Sequence, residues 1–290
     1  MAIESLQLKI AAERAIQTAH KAITPLRDFA VSFTPAESIK GSAIRVPIFN
    51  VGDAATFDAA TNNYEGTDQG VTGVDVNIDN HLVKSVFYTD RDFAECDVQF
   101  FEGAGKAIAT VLAKGAVNQT IGLINATSVT QAQVMALAKF GQKTAVADLY
   151  RVADSFDMAP GECVLLLTPA AFAALLATLD ANVYGGDEAI RNGYIPGLYG
   201  FKSVIMCNAL ADGLNGVIAH TEAIGVAARY LAPDAAAYTE TGMITDEHTG
   251  LTIGFRRFAN PATGKRYIAG EMLYGSKLVQ PDKIVRLTNA

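Results

Sequence analysis

The stretch VTGVDVNIDNHLVKSVFYTDRDF, residues 71–93, alternates almost without interruption. Val74, Val76 and Ile78 fall on one face of an extended chain, and Asp75, Asn77 and Asp79 on the other. After Asn80 the run resumes, with Leu82, Lys84, Val86 and Tyr88 set against Val83, Ser85 and Phe87. Strand side chains alternate with a period of two, so the stretch predicts a β-strand. An ordinary strand has about 5–6 residues; this run reaches roughly three times that length. Upstream, AIRVPIFNV at 43–51 alternates as well. Its Pro47 cannot donate to a ladder, which marks an edge strand or one with a free side. Between the two lies GDAATFDAATNNYEGTDQG, rich in Gly, Asn, Asp and Ala and without apolar periodicity. The three pieces predict a long hairpin over residues 40–89 with a polar tip. An isolated hairpin is marginal in water, so its apolar side is expected to bury against another subunit.

The rest of the chain reads as a mixture of helices and strands. Residues 2–22 predict a helix with a ragged apolar face, ended by Pro25. It suits either an arm or a packed terminal helix. Thr89 with Asp92 three positions on has the form of a helix start, and a second start follows at Asp97. From there to about Ile124 the stripe Phe101, Ala104, Ala107, Ile108, Val111, Leu112 and Ala116 has helical spacing. Such a helix spans about 40 Å at 1.5 Å per residue. Gly103, Gly105, Gly115 and Gly122 allow another backbone to come close. Residues 128–140 read as a strand pair or a strand and a turn. KTAVADLYRVADSF is an amphipathic helix. Residues 163–167 form a buried strand that runs into a helix with Thr168 as N-cap and Pro169 at its first position. A long irregular loop follows at 180–200, a length that is usually functional. KSVIMCN and GVIAH read as buried strands, EAIGVAARYL as helix or strand, and the chain from residue 249 as mostly β.

Composition removes several function classes. The chain has 290 residues, half of them hydrophobic, and a formal charge of -7. It has no basic run, which argues against a protein built to grip phosphates. Charged residues make up 18%, below the roughly 25% of an average soluble domain, which fits apolar surface buried against another chain or an Ala-rich packed enzyme. Cys96, Cys163 and Cys207 are few, odd in number and far apart, as expected of buried thiols in a reducing compartment. No apolar stretch approaches the roughly 18 residues of a membrane span.

Catalytic patterns are weak. No GxGxxG opens a helix after a strand, and there is no GxSxG. GAGKA at 103–107 lacks the upstream Gly and the Ser or Thr of a phosphate loop and sits inside a helix. His220 and Glu222 form H-x-E, but P-C-x-x-C is absent, so His220 is expected to be a partly buried strand-end histidine. Asp246, Glu247 and His248 read as a solvated turn.

The order of parts resembles the major capsid proteins of tailed bacteriophages with the Hong Kong 97-type fold. The resemblance spans nearly the whole chain. It is carried by an N-terminal arm, an extended hairpin leading into a T-D-x-D turn, a long spine helix, and an α/β segment containing LLLTPAAFAALLATL, GLYGFKSVIMCNAL and GVIAHTEAIGVAAR. A closing β segment, EMLYGSKLVQPDKIVRL, completes it. The motifs are loose and their shared order makes them specific.

The resemblance implies an α+β fold in five parts: an N-terminal arm (1–36), an extended hairpin loop (37–91), a peripheral domain with the spine helix (92–142), an axial domain (143–254) and peripheral return strands (255–290). It implies a structural protein, without catalysis, cofactor or metal, that self-assembles through hexamers and pentamers into the icosahedral head of a double-stranded-DNA phage. The virion is its expected location, after assembly in the host bacterial cytoplasm. Expected partners are further copies of itself, a portal protein at one vertex, packaged DNA held without tight binding, and a decoration protein as a further candidate. No long charged leader is visible, so a separate scaffolding protein is expected. Candidate intersubunit contacts are Arg45, Phe57, Tyr64, Asp79 and Lys84 in the hairpin loop and Tyr184, Tyr194 and Tyr199 in the 180–200 loop. Lys40 and Lys84 cannot be assigned the lysine–asparagine cross-link of some members, and non-covalent locking is expected. Two alternatives stand beside this reading: an encapsulin-like nanocompartment shell, and an oligomeric α/β enzyme.

Overall fold

The computed structural model describes residues 19, 22–26, 28, 30–33, 42–49, 71–89, 91–92, 98–178, 194–196, 200–232, 234, 238–246 and 249–289. Among these, the long alternating run is two strands rather than one. Strand β2 (Ala43–Phe49) pairs antiparallel with β3 (Val71–Asn77), which makes the hairpin. At Ile78 and Asp79 the chain breaks the ladder, and β4 (Asn80–Thr89) leaves the hairpin for a different partner, β13 (Lys265–Leu278). The sequence conceals this corner because Ile78 keeps the alternation in phase while the hydrogen-bond partner changes.

The first sheet has the order β1–β10–β13–β12–β11, with β4 also on β13. Its remaining members are β1 (Ala30–Phe33), β10 (Ile224–Arg229), β11 (Glu240–Thr245) and β12 (Thr252–Asn260). The segment 224–229, open between helix and strand by sequence, is a strand because it fills a slot between β1 and β13. Strand β11 is a feature the sequence reading missed.

Helix α1 (Val98–Gly122) lies across one face of this sheet. Its 25 residues span about 37 Å at 1.5 Å per residue. Phe101, Ala104, Ile108, Leu112 and Ala116 are buried as expected, joined by Ala109, Ala113, Val117 and Ile121. Ala107 and Val111 face outward instead; Val111 is 49% exposed. The buried stripe thus sits one position further round the helix than the expected one. Contact is close because glycines stand at both surfaces. A Cβ at Gly270 would run into Ile108 and lie 3.1 Å from Leu112, and a Cβ at Gly115 would lie 2.9 Å from Leu82. Gly103 and Gly122 face open space. The preceding segment closes the same core through Ala19, Ile23 and Leu26, all buried.

The second sheet has the order β5–β14–β9–β6–β8–β7. Its strands are β5 (Ala132–Val134), β6 (Cys163–Leu167), β7 (Tyr194–Pro196), β8 (Ser203–Met206), β9 (Leu214–His220) and β14 (Ile284–Thr288). Helices α2 (Leu137–Phe140), α3 (Ala145–Ser155) and α4 (Pro169–Leu176) accompany it. Cys163, Leu165 and Leu167 face a core shared with Leu149, Phe172 and Leu175, while Val164 and Leu166 face the core that contains α1. As predicted, Thr168 caps α4: its Oγ1 accepts from the Ala171 amide at 3.4 Å, with Pro169 at the first turn. The sheets cut across the sequence boundaries at 143, 254 and 255. Strands β10 and β11 pair with the first sheet, and β14 with the second, because pairing follows available edges rather than order along the chain.

Candidate assembly surfaces

The hairpin, β4 and β13 form one continuous structure. On the face of the first sheet opposite α1, the hairpin base buries Ile44, Val46, Val76 and Ile78 against Ala227 and Val279. The Asn77 carbonyl presses on Gly275, where any Cβ would collide with it. Lys277 Nζ donates to the Asp75 carbonyl at 3.0 Å. The apolar side of the hairpin base is therefore satisfied within its own chain, and the expectation that it needs another subunit is narrowed to the far end.

The other half of that face is open. Val83 and Phe87 on β4 are 59% and 55% exposed. Phe87 begins an aromatic row across the strands. Its ring lies 6.1 Å from Tyr267, Tyr267 stacks on Phe258 at 5.0 Å, and Phe258 meets Tyr238 edge-on at 6.1 Å. Lys265 Nζ sits 4.4 Å over the Phe87 ring. Beside the row, Arg256 pairs with Glu271 and donates to the Tyr238 hydroxyl at 2.9 Å. Met243 on β11 is 63% exposed. Among the described residues, no strand pairs with the second edge of β4. A ten-residue edge with apolar side chains invites pairing with another chain.

The sequence-derived contact candidates are dispersed. Arg45 is exposed on β2 opposite Asp75, and its guanidinium lies across Gly73. Asp79 is exposed at the corner between β3 and β4, and Lys84 is exposed on β4 opposite Gly270. Tyr194 begins β7 opposite Ile205. Phe57, Tyr64, Tyr184 and Tyr199 lie outside the described residues. The aromatic row was missed, although its signal was present. β4 is apolar on both faces, with Val83 and Phe87 opposing Leu82, Val86 and Tyr88, so a second covering surface was implied.

Polar pairs elsewhere have structural roles. Thr89 and Asp92 form the reciprocal cap that the T-D-x-D pattern suggested. The Thr89 amide donates to Asp92 Oδ2 at 2.9 Å, and the Asp92 amide donates to Thr89 Oγ1 at 3.2 Å. The Thr89 amide, and the Thr89 hydroxyl donating to the same Oδ2 at 2.7 Å, hold the Asp92 carboxyl below the usual aspartate range. His220 ends β9, half-buried as expected, with Nε2 3.0 Å from Glu162 and Nδ1 accepting from the Glu222 amide at 3.2 Å. Cys163 and Cys207 are buried, and burial pushes the Cys163 thiol up to about 11. Among the described residues no three His, Cys, Asp or Glu side chains gather as a metal site.

No protein-family model matches the chain, and no curated protein does. Solved structures match over almost its whole length. A chain from Mycobacterium phage Che8 aligns at a TM-score of 0.58 and 14% identity, covering 90% of this chain and 89% of that one. A capsid chain of a native GTA particle aligns at 0.59 and 12% identity, covering 92% and 90%. A virus-like particle from Pyrococcus furiosus aligns at 0.56 and 14% identity, covering 96% and 97%. The matches run along about nine-tenths of chains of similar extent, and the fold of this protein is the Hong Kong 97-type capsid fold.

Proposed function

We propose that this chain is the major capsid protein of a tailed double-stranded-DNA bacteriophage, a non-catalytic subunit that assembles into an icosahedral head through hexamers and pentamers. The observation that carries the reading is the match to a capsid chain over about nine-tenths of both chains. The half-open sheet supports it, since an exposed apolar row and an unpaired long edge are what a many-copy shell buries. Multivalency lets each contact remain modest. In this reading the hairpin, α1 and the first sheet make the peripheral part, and the second sheet with α2–α4 makes the axial part. Residues 1–36 are the arm, and Arg45, Phe57, Tyr64, Asp79, Lys84, Tyr184, Tyr194 and Tyr199 are intersubunit contacts. Scaffolding, portal and decoration proteins are its proposed partners, and the virion its place.

The test is negative-stain electron microscopy of the purified chain with light scattering on the same sample. Closed particles, tubes or capsomer rings are expected; a uniform dimer or tetramer, with a scaffold candidate present, would sink the proposal. The match to the Pyrococcus virus-like particle favours one second reading, a nanocompartment shell with the same fold. Nuclease-protected DNA in particles from the native source separates them: a phage head holds it and a protein-filled compartment does not.

A further inference from the structure

The chain passes between the two sheets at two adjoining places. Strand β9 of the second sheet reaches β10 of the first through the turn 221–223, and β13 of the first reaches β14 of the second through residues 279–283. The two passages are tied together: the Val279 and Gln280 amides both donate to the Ala223 carbonyl, at 2.9 and 3.2 Å. The Thr221 amide donates to the Glu162 carbonyl at 3.0 Å, which fixes the first passage to the turn Pro160–Glu162 that leads into β6.

His220 stands at this junction, and its two ring nitrogens have different partners. Nδ1 accepts from the Glu222 amide at 3.2 Å, and Nε2 lies 3.0 Å from Glu162 Oε2. A backbone amide can only donate, so Nδ1 carries no proton here, and the ring hydrogen sits on Nε2, donating to the carboxylate. This pattern suits the neutral imidazole alone. Imidazolium donates from both nitrogens. A proton on Nδ1 would point at the Glu222 N–H, so that bond has to break, whereas Nε2–H still donates to Glu162. Protonation therefore severs the contact to the turn and spares the contact to the neighbouring strand.

Other ionisable groups flank the ring. Cys163, its register partner on β6, is an uncharged thiol, pushed up to about 11 by burial. Lys283, beside β14, donates to the Asp157 carbonyl at 3.3 Å, and Lys202, whose amide donates to the Cys163 carbonyl, turns its Nζ to the Asp28 carbonyl at 3.5 Å. Both amines are thus directed to carbonyls away from the ring. Glu222 and Asp282 are exposed residues of the two passages.

We infer that His220 is a proton-operated pin at the junction of the two sheets: neutral, it holds the 221–223 turn closed, and protonated, it releases the Glu222 amide and loosens the paired passages. The pin belongs to the subunit itself and stands apart from the shell reading, so its test needs no assembled particle.

The experiment is amide hydrogen exchange of the full-length chain from about pH 8 to about pH 5, the range in which histidine changes charge. Rates are corrected for the intrinsic pH dependence of exchange, and histidine nitrogen NMR is run on the same protein. His220, identified by the signal lost in H220Q, is expected as the Nε2–H tautomer at the upper pH. As the ring gains its proton, protection at Thr221, Glu222 and Val279 falls about two- to tenfold, the worth of one hydrogen bond, while the amides of β6 keep theirs. H220N offers an oxygen acceptor near the Nδ1 position and takes up no proton, so its protection stays level over the same range. An Nδ1–H tautomer at the upper pH overturns the inference, as does a wild-type profile without the step or an equal step in H220N. The tautomer and the wild-type profile decide the matter even where H220N does not fold.

Discussion

The two sheets contain similar apolar strands but are covered differently. The centre of the second sheet is filled on both faces by its own chain: β6 reads Cys-Val-Leu-Leu-Leu, and all five residues are buried. The first sheet has α1 on one face, while the hairpin covers only part of the other, leaving Val83, Phe87 and Met243 in solvent. A strand buried on both faces loses its alternation, whereas β4 keeps apolar residues on both faces with only one face packed. The difference teaches that apolar alternation on both faces of a strand with one face packed marks a surface left for a further partner, which in the proposed shell is a neighbouring copy.

That contrast can be broken by substitution. The largest effect is expected in the doubly covered sheet, where Leu165→Ala removes a buried side chain and should cost about 2–5 kcal/mol in denaturant unfolding. Gly270→Ala comes next. Its methyl has to displace Ile108 on α1, and over-packing of this kind costs about 1–3 kcal/mol. Thr168→Ala, which removes the α4 cap, should cost about 1 kcal/mol. Phe87→Ser, on the open half-face, should change subunit stability by under about 1 kcal/mol yet reduce assembly measured by sedimentation. Stability loss from Phe87→Ser as large as that from Leu165→Ala would erase the distinction between the two sheets.

The smallest effect concerns acid. Asp92 is lowered from an ordinary value of 3.8 by the Thr89 amide first and its hydroxyl second. A depressed folded value means that its stabilisation is present above the unfolded value and is lost as pH falls through the folded one. Asp92→Asn should therefore flatten the acid limb of the stability curve below about pH 4 and leave its slope at neutral pH alone.

The sequence made the elements legible wherever periodicity and local caps decide them. The spine helix, the β6–α4 unit with Thr168 and Pro169, and the Thr89–Asp92 turn all lie where local chemistry puts them. Partnerships were less legible. The corner at Ile78–Asp79 leaves no mark, because changing a strand's partner changes no side-chain period. The phase of α1 was misread by one position because its many Ala residues give a weak contrast between faces, and Gly270, distant in sequence, decides which side fits.

Strand β14 lies inside its sheet, between β5 and β9, and its Ile284, Val285 and Leu287 are wholly buried. The second sheet therefore stays gapped until residues 284–288 have been synthesised, long after β5, β6 and β9 have left the ribosome. Chains released before residue 284 lack the piece that joins β5 to β9 and should remain substrates for proteases. Strand β14 thus acts as a late latch, leaving the second sheet unclosed in any chain that stops short of it.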